Sequence, residues 1–214
     1  HELGQPLTAI LSNAQAAQRF LDKEDPDVDE IREILEDIIA EDKRAGSVIK
    51  SIRHLIRRES SQFERLDINQ VVNEALALLN NELAIREVKL GTRLAAGLPA
   101  LHGDTVQLQQ VIINLVMNAS HALQAMDSGE RRIIIATKCQ DKRMIELTVT
   151  DSGPGIDEEM LDKIFQPFIS TRKAGLGMGL AINRTIVEAH RGRLWAENSP
   201  DQGAVFRITL PVTQ

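Results

Sequence analysis

The sequence predicts an all-α antiparallel helical hairpin followed by an α/β sandwich. Three observations carry this. Over the first sixty residues, apolar side chains recur in steps of four and three, the seam of helices packed on one face. Beyond about residue 70, helical periodicities alternate with period-two runs that read as strands. Between the two lies Ser60-Ser-Gln-Phe-Glu-Arg-Leu66, a polar stretch suited to a hinge or linker. The domains expected are residues 1–60 and 61–214.

The first helix carries its seam on Leu3, Leu7, Ile10, Ala14, Ala17 and Leu21. Pro6, near its start, is expected to kink it or weaken one backbone hydrogen bond. Asp22-Lys-Glu-Asp-Pro26-Asp27 is a polar turn. A second helix over 28–59, about 45 Å long at 1.5 Å per residue, has the seam Ile31, Leu35, Ile38, Asp42, Ala45, Ile49, Ile52 and Ile56. Asp42 interrupts it and is expected to lie half-exposed. Two helices with one apolar stripe each cannot enclose a core. A second copy completes a four-helix bundle, so a homodimer through residues 1–60 is expected.

In the second domain the pattern predicts helices at Gln70–Ala84, Thr105–Met126 and Leu180–His190. Strands are expected at Val88–Leu94, Arg132–Thr137, Met144–Thr150, Arg193–Glu197 and Ala204–Leu210. Arg132–Thr137 and Met144–Thr150 would flank the turn Gln140-Asp-Lys142, and the last two strands would form a hairpin across Ser199–Gly203. Strands on one side and helices on the other make the sandwich.

Composition narrows the function. Of the 214 residues only 3% are aromatic and none is Tyr, which speaks against stacking platforms for single-stranded nucleic acid. A net charge of −6 argues against a nucleic-acid partner. One cysteine, Cys139, excludes an internal disulfide and a multi-cysteine metal site and fits a cytoplasmic setting. No apolar run reaches the roughly 20 residues that span a bilayer, so a membrane would enter only through segments upstream.

Four constellations carry chemistry. Asp151-Ser-Gly153-Pro-Gly155 follows a strand, and a carboxylate on such a glycine turn accepts a hydrogen bond from an exocyclic amine such as adenine's, worth about 1.5–3 kcal/mol. Taken alone the run is also a plain tight turn. Gly175-Leu176-Gly177-Met178-Gly179-Leu180 opens a helix, whose N-terminus presents free N–H groups to phosphate. Arg172 and Lys173 just before it add positive charge. Asn114 and Asn118 lie four apart on one helix face, and an amide oxygen there, together with phosphates, suffices for Mg²⁺. Solvation or capping is the commoner use of such a pair, but the neighbours Val111, Leu115 and Val116 make solvation unattractive. His1-Glu2 places a nucleophilic imidazole beside a carboxylate that can take its other ring proton, and Gln5 lies one turn on.

Together these residues resemble the histidine protein kinases of two-component signalling. His1-Glu-Leu-Gly-Gln5-Pro-Leu7 resembles the phosphoacceptor box of that family. Gln109 to Ala119 resembles its asparagine box, and Asp151 to Gly155 its first glycine box. Ile164 to Thr171 resembles its phenylalanine box, and Gly175 to Leu180 its second glycine box. They occur in family order across nearly the whole chain. The H-E-x-x-Q-P-L start and compact lid are similar to kinases carrying PAS sensor domains, such as rhizobial oxygen sensors.

The resemblance implies an ATP-binding domain of the type shared with gyrase and the ninety-kilodalton heat-shock chaperone. It implies His1 as the phosphorylated residue, Glu2 as its base, Asn118 as the Mg²⁺ ligand and Asn114 beside the phosphates. Asp151 would read adenine in a pocket that includes Gly153, Gly155 and Ile156, supported by Thr209 through water. Residues 157–178 would form the lid, anchored by Phe165 and Phe168 and carrying Thr171, Arg172 and Lys173. The phosphoryl group would pass from His1 to an aspartate on the receiver domain of a response regulator. Three positions depart from the family pattern. His121 stands where a phosphate-contacting lysine is usual, Arg172 where a lid lysine is usual, and Gln5 where Thr or Asn accompanies phosphatase activity, which stays open here. The reading left beside the kinase is an ATP-gated module that switches partners.

Overall fold

The computed structural model describes residues 4–23, 27–56, 62–126, 129–141, 143–169, 177–199 and 203–213. It divides into two compact units, one helical and one α/β.

The helical unit consists of α1 (Gly4–Leu21) and α2 (Val28–Ile56). Pro6 lies in the first described turn of α1. Asp27 starts α2 by accepting the N–H groups of Asp29 and Glu30, both at 3.1 Å, and these two acidic residues suit the positive end of the helix dipole. Ala17 and Ala45 are buried, whereas Leu7, Leu11, Leu21, Leu35 and Ile39 stay about half-exposed or more. Within the seam, Ala17 and Ala45 are buried, Ile10, Ile31 and Ile38 are half-buried, and Leu7, Leu21 and Leu35 are exposed. Asp42 is exposed.

The second unit runs β1 (Glu64–Leu66), α3 (Ile68–Ile85), β2 (Lys89–Leu94), β3 (Leu101–Gly103), α4 (Thr105–Gln124), β4 (Arg132–Asp141), β5 (Met144–Asp151), two single 3₁₀ turns, α5 (Gly179–Ala189), β6 (Arg193–Asn198) and β7 (Ala204–Pro211). The predicted elements occur, with ends shifted by a few residues. Two strands escaped prediction. Within the stretch expected to be linker, Glu64–Leu66 forms a strand that pairs antiparallel with Leu101–Gly103. Three-residue strands are too short to show a period, so the sequence carries no signal for either.

The five-stranded sheet has the order β2-β4-β5-β7-β6. β2 runs parallel to β4, and every other pair is antiparallel. Alternation divides its faces. Ile133, Ile135, Ile145, Leu147, Val149, Leu194, Phe206, Ile208 and Leu210 join the apolar stripes of α3 and α4 in one core. The opposite face is polar, and there Arg207 bridges Glu146 and Glu197 at 2.8 and 2.6 Å.

His190, the residue after α5, ties two helices together. Its Nε2 accepts the N–H of Asp104 at 2.9 Å, and Asp104 in turn caps α4. Its Nδ1 donates to the Ile186 carbonyl at 2.8 Å. The two bonds select the Nδ1-protonated tautomer. Phe63 stacks on the ring at 4.7 Å. Burial holds the pKa of His190 below the usual 6.5, against the pull of the Ile186 bond and the Asp104 charge.

The unfolded chain therefore binds a proton at this site before the folded one does. Stability contributed by neutral His190 is complete above pH 6.5 and is lost as pH falls below it toward the lowered folded value. Thermal melts between about pH 7 and pH 5 should show a steeper fall for the parent chain than for His190→Gln, whose amide oxygen accepts the Asp104 N–H without titrating. Parallel curves would refute the assignment.

Candidate nucleotide site

Asp151 closes β5 on the same face as Val149 and Leu147, pointing toward the helices. It is 4% exposed. Among the described residues, its carboxylate accepts on Oδ1 alone, from the N–H of Gly153 at 2.9 Å and that of Ala204 at 3.2 Å. None of them donates to Oδ2, which suits an outside donor. Burial pushes the carboxyl above its ordinary range, and the two backbone N–H groups pull it partly back. A rigid, dry, one-sided acceptor of this kind suits an exocyclic amine.

Glycines permit this approach. A Cβ at Gly153 would sit 2.7 Å from Asp151 Oδ1, and at Gly203, where φ is +94°, it would run into the Asp151 carbonyl. Gly155 (φ +83°) lies against Asn198, whose amide clasps the backbone of Ile156 in both directions, at 2.8 and 2.7 Å. Gly203 and Asn198 were not among the expected site residues. Both lie about fifty residues from Asp151 in the chain, and only sheet pairing brings them near.

Along α4, Asn114, Asn118 and His121 follow the i, i+4, i+7 spacing, all half-buried, beside the fully buried stripe of Leu115, Val116 and Ala119. One end of this row meets the second glycine loop, since a Cβ at Gly179 would lie 2.8 Å from Asn114 Nδ2. The other end meets the first, since one at Gly153 would lie 3.8 Å from the Cβ of Ala122. Eight residues of helix separate these contacts, about 12 Å, a span that matches a nucleotide laid from base to phosphates.

At the second loop, Gly177 has φ +63° and abuts the backbone of Ile169. The two edges of segment 170–176 are therefore in contact. Met178 is buried, and as the N-cap of α5 it makes no side-chain hydrogen bond to the helix, so among the described residues its cap leaves the first N–H groups to an anion. Phe165 is buried edge-to-face on Phe206, with centroids 6.4 Å apart, and stacks under Arg184 at 5.5 Å.

Two expectations are corrected. Phe168 is 54% exposed and does not share the anchoring role of Phe165. Thr209 pairs with Glu146 and Arg193 on the polar sheet face, because it alternates with the core residues Ile208 and Leu210. Ala204, not Thr209, stands beside Asp151. His1, Glu2, Thr171, Arg172, Lys173, Gly175 and Leu176 lie outside the described residues, as does the side chain of Gln5.

The donor set fits ATP with Mg²⁺. Among the described residues, a carboxylate oxygen without a donor, a helix start without a side-chain bond from its cap, and half-buried amides suit base, phosphates and a hydrated cation respectively. Among the described residues, no group of three or more His, Cys, Asp or Glu could hold a metal. Mg²⁺ keeps waters and phosphate oxygens in its shell and needs only one or two protein oxygens, which amides supply.

Comparison with known proteins agrees with this geometry. Residues 103–214 match the family described as histidine kinase-, DNA gyrase B-, and HSP90-like ATPase. Residues 1–61 match the His Kinase A (phospho-acceptor) domain. The chain belongs to the histidine kinase family. The sensor histidine kinase TmoS of Ectopseudomonas mendocina is 36% identical over 215 residues, covering 100% of this chain and 22% of its own length. The sensor protein FixL of Bradyrhizobium diazoefficiens is 36% identical over 213 residues, covering 99% of this chain and 42% of its own. The chain thus spans less than half the length of these relatives. Among solved structures, histidine kinase ThkA in complex with the response regulator protein TrrA superimposes with a TM-score of 0.75 at 27% identity, over 100% of this chain and 59% of that one. Among the described residues, no helix of this histidine kinase is long and apolar enough to cross a membrane.

A raised carboxyl pKa means that the folded state favours protonated Asp151, so its charge costs stability at neutral pH and ceases to cost it as pH falls through the folded value. Asp151→Asn keeps the oxygen that accepts from Gly153 and Ala204. It should raise Tm at neutral pH by about 2–4 °C, on the order of 1 kcal/mol for a domain this size, with the gain shrinking on acidification. Calorimetry of both proteins across that range checks it, and a lower Tm for the variant would sink it.

Proposed function

We propose that this chain is the catalytic core of a sensor histidine kinase that transfers the γ-phosphoryl group of ATP to its own His1 and passes it to an aspartate on the receiver domain of a response regulator. The observation that carries the reading is the row of amides on α4, which runs from the turn of the buried acceptor Asp151 to the start of α5.

Residues 1–60 form the dimerisation and phosphoacceptor domain and residues 61–214 the ATP-binding domain. The outward-facing Leu7, Leu11, Leu21, Leu35 and Ile39 support pairing with a second copy. In the ATP-binding domain, Asp151 takes the exocyclic amine of adenine on Oδ2, a choice that disfavours guanine, which offers a carbonyl at that edge. Gly153, Gly155 and Ile156 shape the turn around the base. Asn118 supplies an oxygen to Mg²⁺, whose role when bound is to neutralise phosphate charge. Asn114 and His121 lie beside the phosphates. Gly177, Met178, Gly179 and Leu180 bring the α5 N–H groups to them, and Phe165 seats the lid that carries Thr171, Arg172, Lys173, Gly175 and Leu176.

Glu2 accepts a ring proton from His1 and leaves the other nitrogen free to attack. Catalysis then consists mainly of positioning and charge neutralisation. Gln5, an amide one turn from His1, can orient water, which leaves phosphatase activity as a second capacity of the same box. The described part of the chain is compatible with a cytoplasmic core, and any membrane anchor belongs to other segments.

Incubation with γ-labelled ATP should place an acid-labile label on the parent chain and none on His1→Gln. Full label on that variant would overturn the acceptor assignment. Asp151→Asn should lose adenine-nucleotide binding by calorimetric titration, and unchanged affinity would overturn the adenine role.

A further inference from the structure

Asn183 is a buried polar residue that the nucleotide chemistry above does not use. It lies in the second turn of α5, between Ile182 and Arg184, and is 0% exposed. Its Oδ1 accepts Asn114 Nδ2 at 3.1 Å. Its own Nδ2 is buried without a hydrogen-bond partner among the described residues. An apolar side chain of similar size would fill this place without leaving a donor desolvated. The amide therefore weakens the packing where it sits, and the one side-chain hydrogen bond it makes among the described residues is with a residue of the candidate nucleotide site.

That contact has a chemical direction. Asn114 gives an amide N–H to Asn183. Its amide also lies against the first residue of α5, where a Cβ at Gly179 would come within 2.8 Å of Nδ2 and 3.0 Å of Oδ1. The side chain is held from two sides, with a donor engaged inward. Phosphate oxygens are acceptors only, so an amide oxygen turned toward them is repelled unless a cation or its bound water stands between. Mg²⁺ and its waters meet that need, being a hard cation with a hydrated shell.

We propose that Asn183 is a positioning residue. It holds Asn114 so that the carbonyl oxygen, rather than the amide nitrogen, serves the magnesium-bearing side of the nucleotide. Asn183 touches neither nucleotide nor metal and acts only through Asn114. The inference rests on the ATP-site reading above and deepens it.

The test is nucleotide affinity measured twice, by calorimetric titration of ADP with Mg²⁺ and with EDTA, so that it does not depend on turnover. Asn183→Leu should weaken binding about tenfold with Mg²⁺, the scale of one well-oriented hydrogen bond, and leave binding in EDTA nearly unchanged. Asn183→Asp, which retains an oxygen at the accepting position, should keep most of the Mg²⁺-dependent gain. Asn114→Ala combined with Asn183→Leu should lose no more than Asn114→Ala alone. Thermal melts confirm folding of each variant, and Asn183→Ser, too short to reach Asn114, replaces the Leu variant if that fails to fold. Equal losses with and without Mg²⁺, no loss in either, or additive losses in the double variant each overturn the positioning role while leaving the ATP site standing. Absence of ADP binding by the unsubstituted chain overturns both.

Discussion

Helix α4 has to satisfy two neighbouring surfaces at once, and the α/β unit is arranged around that demand. One stripe, from Leu108 through Ile112, Leu115 and Ala119 to Leu123, is fully buried against α3 and the sheet. The adjoining stripe of Asn114, Asn118 and His121 must stay polar and reachable. Packing the first stripe sets the helix rotation, and the 3.6-residue period then delivers the second to the cleft. The helix is also tied at its start, where Asp104 both caps it and gives its N–H to His190. A slip of one residue along α4 in one direction would carry Asn114 and Asn118 onto the buried positions of Leu115 and Ala119, and in the other would carry Leu115 onto the half-buried position of Asn114.

The same site holds a group that works against the fold. Asp151 is desolvated, and its carboxyl prefers the neutral form more than an exposed aspartate does. Two backbone N–H groups relieve part of that cost, and close approach by Gly153 and Gly203 is what lets them reach. In the role proposed for it, the preorganised carboxylate needs little rearrangement to meet an incoming amine, and stability and recognition are then opposed at this position.

Legibility of the site divides along sequence distance. The roles proposed for Asp151, Gly153, Gly155, Gly179, Asn114 and Asn118 were all read from local runs, because each depends on its own turn or helix face. Asn183, Asn198, Gly203 and His190 were not, because each matters only through a partner 42 to 86 residues away. Thr209 is a different case. The alternation of Phe206, Ile208 and Leu210 already assigns it to the polar face, whereas the expectation for it came from the family resemblance alone. Phe168 followed Phe165 in the expectation by motif alone, whereas burial separates them.

The sequence by itself determined the order of the helices and of the five strands of the larger sheet, the apolar seam of the hairpin, and the identity of the motifs, since these follow from periods of 3.6 and 2 and from glycine placement. It also sufficed to place the chain among the histidine kinases. The tertiary structure alone decided that Glu64–Leu66 is a strand, that the sheet runs β2-β4-β5-β7-β6, and that Asn183 meets Asn114 and Ala204 meets Asp151. Those outcomes depend on which buried faces and backbone groups find one another across the fold, and no local window of sequence contains both halves of such a contact.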